Sequence, residues 1–170
     1  TDSGYVNSII KYPKFWNSIR ANTLAVQEKT AEIQNAVKRF KTIYPELKDA
    51  EMYFTVGGLR SGGTVQGNMV LIGAEIATGT NDTDVSEFEN DWLKNVFSKQ
   101  SLDNIVSLNI HEYVHTQQKG DRKRVLSQSI NEGVCDFITE LVIESPKQSQ
   151  YMIYGKDNYE KIKAQFLKEM

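Results

Sequence analysis

The apolar residues of this chain change their period twice, and that change limits the folds open to it. From Asn22 to about Tyr44, the residues Leu24, Val26, Ile33, Val37, Phe40 and Ile43 recur at roughly helical spacing. Asn22 is a candidate N-cap there, and Pro45 is the stop. A shorter aromatic segment around Phe15 and Trp16 comes first, so the opening fifty residues read as helical. Met52–Val56 is then short, aromatic and β-branched and ends at Gly57-Gly58. Met69–Ile72 is a second strand, with Arg60-Ser-Gly-Gly-Thr64 as a glycine-rich turn between the two. Residues 78–92 are polar and acidic and read as an exposed excursion. Helical spacing returns at Ser101, a candidate N-cap with Asp103 in the first turn, and stops at Lys119-Gly120. A last long helix is expected from about Ser127 to Glu144, with Ile130, Val134, Phe137, Ile138, Leu141 and Val142 as its apolar positions and Pro146 beyond. This order predicts an α+β domain with a small, mainly antiparallel sheet.

Composition narrows the function classes. A length of 170 residues with 39% hydrophobic and 25% charged residues suits one domain, 1–170, with a real core. Twenty Lys+Arg against 22 Asp+Glu leave a net charge of -2, so the global basic field that nucleic acid requires is missing. Asp121-Arg-Lys-Arg124 reads as a solvated loop, and Asn81-Asp82-Thr83 as a chance glycosylation triplet. No apolar run approaches the roughly 18 residues of a membrane helix. The single cysteine, Cys135, excludes an internal disulfide and a cysteine-based structural zinc site, and is expected to be a small packed residue rather than a ligand. Thr1 in place of an initiator Met suits a removed leader, and the helical pattern over 156–170 ends without a cap, which suits a longer natural chain. Export to the periplasm or cell surface of a bacterium and a cytoplasmic location both stay open, as does the oligomeric state.

The chain has two histidines, and both belong to His111-Glu112-Tyr113-Val114-His115, an H-E-x-x-H string on the helix after Ser101. Positions four apart on a helix are separated by about 6 Å along the axis and about 40° around it. Both imidazoles therefore leave one face and can share a metal ion at about 2.0–2.1 Å. Glu112, about 100° away, is placed to flank the ion and take a proton from a metal-bound water. A catalytic zinc takes a third protein ligand, and here that must be a carboxylate. The candidates downstream are Asp121, Glu132, Asp136, Glu140 and Glu144. Asp121 reads as a loop charge, and Glu140 and Glu144 continue along the last helix away from the site. Glu132, beside the small Gly133, is the expected ligand. Asp136, one turn on, is expected to accept the second ring N–H of one histidine and so hold its orientation.

These residues carry two resemblances. His111-Glu-x-x-His115 followed by Asn131-Glu132-Gly-Val-Cys-Asp136 resembles the pattern of gluzincin metallopeptidases of the thermolysin type. That resemblance implies a zincin-like fold, with zinc on His111, His115 and Glu132, Glu112 as base, and Asp136 behind the first ligand. It also implies a strand, here Met69–Ile72, that pairs with an extended substrate. More widely, Tyr53-Phe-Thr-Val-Gly57, Arg60-Ser-Gly-Gly-Thr64, Leu71-Ile-Gly-Ala-Glu75, the histidine motif and Tyr151-Met-Ile-Tyr-Gly155 are similar to an uncharacterised bacterial family of predicted zinc-dependent proteases. The implied activity is zinc-dependent hydrolysis of peptide bonds in a peptide or protein. Thermolysin-like enzymes stabilise the oxyanion with Tyr and His, and this chain has no third His. Tyr154 is the first candidate for that task, followed by Arg60 and Tyr113. The missing histidine also motivates a rival expectation, a zinc-binding surface or accessory protein with weak or no turnover.

Overall fold

The computed structural model describes residues 2–89, 91–97, 101–120, 123–145 and 150–169, so Asp121 and Pro146 lie outside the described residues. The amino-terminal part is helical: α1 (Asp2–Lys11), α2 (Pro13–Ala25) and α3 (Thr30–Ile43). The proline of α2 sits in its first turn, where a missing N–H costs nothing. The unbroken helix expected from Asn22 does not form, because a 3-10 turn, Val26–Lys29, separates α2 from α3. Two different cores explain the break. Phe15 and Ile19 of α2 pack with Ile76, Phe88 and Phe97. Ala36 and Phe40 of α3 pack with Val70, Ile72, Ile110, Tyr113 and Val142. One straight rod cannot face both. Asn22 lies inside α2, and its Nδ2 donates to the Thr78 carbonyl at 3.1 Å.

Three short strands follow: β1 (Glu51–Thr55), β2 (Gly63–Gln66) and β3 (Met69–Gly73), in the spatial order β1-β3-β2. The sheet is mixed, where a mainly antiparallel one was expected. β1 runs parallel to β3, with Tyr53 opposite Leu71, while β2 forms an antiparallel hairpin with β3, with Val65 opposite Val70. The most apolar strand takes the centre. Val70 and Ile72 are fully buried, whereas β1 and β2 alternate between exposed and half-buried positions. The carboxyl end of the stretch read as a turn, Gly63-Thr64, is therefore the start of an edge strand.

The segment after β3 is not the exposed excursion its polarity suggests. Helix α4 (Ala74–Ala77) is wholly buried, and so are Thr78, Thr83 and Phe88. Phe88 and Phe97, the latter at the end of α5 (Asp91–Phe97), stand 5.0 and 5.1 Å from the Phe15 ring. A few buried aromatic residues anchor a stretch that is polar on average.

Helix α6 (Asn104–Gln117) packs on the sheet, α7 (Val125–Ile143) packs on α6 and α3, and α8 (Gln150–Asp157) and α9 (Tyr159–Glu169) complete the chain. Ser101 is not the cap of α6. Its carbonyl accepts the Asn104 N–H in a turn that precedes the helix. On α7 the rotation is the larger surprise. Ile130 and Phe137, expected inside, are 55% and 60% exposed, with Val134 and Leu141 on the same outer side. The inner face is Cys135, Asp136, Thr139 and Val142. Both stripes keep the helical period, and the smaller side chains face in because α7 lies against the histidine-bearing surface of α6. No described helix is long and apolar enough to cross a membrane.

Candidate metal centre

α6 is a helix with one face committed to the core, where Ile105, Asn109, Ile110, Tyr113 and Val114 are buried. Tyr113, a candidate for oxyanion stabilisation, belongs to that core. Its hydroxyl donates to the Lys48 carbonyl and accepts the Ala50 N–H, each at 3.0 Å, and its ring lies edge-on to Phe40. Burial raises its ionisation above the usual tyrosine range. The opposite side carries His111 and His115, whose rings lie 5.0 Å apart and nearly perpendicular. Glu112 is buried against β2: a Cβ placed on Gly63 would come within 2.5 Å of its Oε1. A glycine at that point of the strand makes room for the carboxylate.

α7 brings its carboxylates to these rings. One oxygen, Oε2 of Glu132, lies 3.2 Å from Nε2 of His111 and 3.4 Å from Nε2 of His115. Asp136 approaches from behind, with Oδ1 3.0 Å from Nδ1 of His111, while its Oδ2 accepts the Tyr151 hydroxyl at 2.6 Å. Nδ1 of His115 faces Oε1 of Gln118 at 2.9 Å. Gln118 in turn donates Nε2 to the Asn131 carbonyl at 2.8 Å, which turns its own oxygen toward the ring. The Sγ of Cys135 is also 3.2 Å from Nδ1 of His115. Cys135 is therefore not turned away from the site as helical geometry alone suggested. His111, His115 and Cys135 form a group whose candidate ligand atoms lie within 4.8 Å of one another, and it could hold a metal ion.

The partners of the two Nδ1 atoms decide the chemistry of the two Nε2 atoms. Asp136, as a carboxylate, accepts, so Nδ1 of His111 carries a proton. The Gln118 oxygen also accepts, so Nδ1 of His115 carries one too. In neutral rings both Nε2 atoms then present lone pairs, and they present them to a third lone-pair donor, the Glu132 oxygen. A cation among the three would be held by all of them, whereas a proton on either Nε2 would donate to the carboxylate instead. Ligands at about 2.0–2.2 Å from a tetrahedral ion stand about 3.3–3.5 Å apart, and the two observed separations from Oε2 are 3.2 and 3.4 Å. The residues present fit a metal ion.

The other expected residues fall elsewhere. Glu140 lies further along α7, and Glu144 ends it in a left-handed conformation with φ 55°. Arg60 is exposed, with its guanidinium near Gly4 of α1. Tyr154 is about half exposed on α8, whereas the tyrosine of α8 that reaches the cluster is Tyr151, one turn earlier. Tyr151 entered the sequence reading only as part of Tyr151-Met-Ile-Tyr-Gly155, with no role of its own, and Gln118 not at all; its signal was an amide three residues beyond His115.

Comparison with known families corrects the functional expectation. Residues 8–166 match the family described as gliding motility protein GldB. No curated protein and no solved structure matches the chain. Both resemblances, to gluzincins and to the predicted zinc-dependent proteases, are overturned as assignments. With them goes the hydrolase and peptidase reading. H-E-x-x-H is a five-residue pattern with three specified positions, enough to indicate a metal face on a helix and too little to specify a reaction. The zincin-like label for the fold has no support beyond that motif, and the α+β class stands on the observed elements.

Proposed function

The chain belongs to the gliding motility protein GldB family, and we propose that it is a zinc-binding accessory component of gliding motility, with the metal used for structure and attachment. His111, His115 and Glu132 hold the ion, and Asp136 orients the His111 ring. The observation that carries this reading is the convergence of the Nε2 atoms of two imidazoles on one carboxylate oxygen at 3.2 and 3.4 Å. Two nitrogens and one oxygen suit zinc better than magnesium or calcium, which favour sites made wholly of oxygen.

Three protein ligands leave a fourth position. Glu132 is 57% exposed, so an ion it held would be reachable from solvent. When bound, zinc supplies a Lewis-acidic point there. The chain's own residues do the rest: α6 supplies two ligands, α7 supplies the third, and the pair is pinned together. In this reading Cys135 packs behind His115, since a ligand on that side would compete with Gln118 for Nδ1.

Metal analysis and zinc titration of the untagged full chain test the proposal. One zinc per chain is expected, retained in Cys135→Ser and lost in Glu132→Ala. Retention in Glu132→Ala with loss in Cys135→Ser moves the site to the His/His/Cys group. Zinc bound equally by a His111→Ala/His115→Ala variant overturns the reading. A strain carrying the double variant is expected to lose gliding, and normal gliding would separate the metal from the family's role.

A further inference from the structure

α8 and α9 are thinly held. Tyr151, Ile153 and Tyr154 of α8 are each about half exposed, and no side chain of α9 is buried among the described residues. Yet α8 reaches the centre of the molecule at one point. The Tyr151 hydroxyl donates to Oδ2 of Asp136 at 2.6 Å. The other oxygen of that carboxylate faces Nδ1 of His111 at 3.0 Å. Nε2 of the same ring faces Glu132. The three contacts form one continuous path from the carboxyl-terminal helices to the metal position.

We propose that Tyr151 is a positioning residue for the metal centre, and that zinc loading and the docking of α8 are one coupled equilibrium; this rests on the zinc reading above. A carboxylate held at one oxygen alone can rotate about its Cβ–Cγ bond. Held at both, it aims Oδ1 at the His111 N–H and leaves Nε2 in its ligating orientation. Partners of this kind behind a metal-bound histidine are worth about 10–100-fold in metal affinity. The coupling is reciprocal: an ion that fixes the His111 ring fixes Asp136, and so presents Oδ2 to the tyrosine. The metal would thereby control whether the apolar side chains of α8 stay against the body or swing free.

The test uses the untagged full chain and its Tyr151→Phe variant, which keeps the ring and loses only the hydroxyl. Tyr154→Phe, on the same helix, is the control. Three quantities are read: zinc affinity by chelator competition, the visible absorption of the cobalt-substituted protein, and amide exchange over residues 150–157 with and without zinc. Tyr151→Phe is expected to weaken zinc about 10-fold, change the cobalt spectrum and remove the zinc-dependent protection of 150–157. Tyr154→Phe should leave all three as in the wild type. In an Asp136→Asn background, Tyr151→Phe should add nothing, because the path is already broken. A wild type that binds zinc alongside a Tyr151→Phe variant with the same affinity and spectrum overturns the coupling and leaves the zinc reading standing. A wild type that binds no zinc overturns both.

Discussion

Replacing Glu75 with alanine should destabilise the protein by an amount the geometry sets. The side chain is fully buried, yet its two oxygens take two backbone N–H groups, from Gly57 at 3.0 Å and from Leu59 at 2.8 Å. Those bonds hold the loop between β1 and β2, where Gly58 and Leu59 adopt φ of 66° and 63°. A left-handed conformation costs a residue such as leucine about 1–2 kcal/mol. Two hydrogen bonds to a carboxylate contribute about 1.5–3 kcal/mol each. Their loss, offset by relief of the Leu59 strain, leaves a net cost of about 1–5 kcal/mol for Glu75→Ala. At about 2–4 °C per kcal/mol for a chain of this size, Tm should fall by about 2–20 °C in scanning calorimetry. Amide exchange adds a local signature: the Gly57 and Leu59 N–H groups should lose protection before β3 does. A fall below about 2 °C, or unchanged protection of those two amides, would refute the claim that this carboxylate organises the loop. The consequence reaches the metal centre, because the loop delivers Gly63 to the side chain of Glu112.

Three shorter predictions accompany it. Burial raises the Tyr113 ionisation above its ordinary value. A raised folded value means that this contribution to stability is complete below about pH 10 and is lost as pH rises beyond it. Tyr113→Phe should flatten that alkaline slope in urea denaturation, while losing two hydrogen bonds at neutral pH; an unchanged slope counts against the assignment. On α7, Phe137→Ser should change stability by less than about 0.5 kcal/mol, whereas Val142→Ala should cost about 2 kcal/mol for the buried carbons it removes; the reverse order would mean the helix is rotated the other way. Finally, Gln118→Leu should weaken zinc by about 10–100-fold in a competition assay by freeing the His115 ring, and an undiminished affinity would show that Cys135 holds Nδ1 instead.

Much of this molecule follows from local pattern. The spacing of His111 and His115, and of Glu132 and Asp136, puts each pair on one face of a helix whatever surrounds it, because 3.6 residues per turn is a property of the backbone. The strands at 51–55 and 69–73 were equally legible from their β-branched and aromatic content. Rotation and partnership were not. On α7 the large apolar stripe and the small stripe with Asp136 satisfy the same period, and only the presence of α6 decides which one turns inward. β2 hid among glycines, since pairing with β3 is what makes Gly63–Gln66 a strand, and the parallel pairing of β1 with the other edge of β3 also forms only on folding.

The motif illustrates the same division at the level of function. Five consecutive residues determine that two imidazoles share a helical face, but the fate of those imidazoles depends on groups that meet them only after folding. Asp136 and Tyr151 behind one ring, and Gln118 behind the other, select the tautomers that aim both Nε2 atoms at Glu132. Hydrogen-bond partners act through space, at about 3 Å, without regard to separation along the chain. The sequence by itself therefore determined the two site helices α6 and α7, two of the three strands and the stacking of the histidines. The tertiary structure alone decided which nitrogen of each ring faces the centre and that a residue of α8 lies within reach.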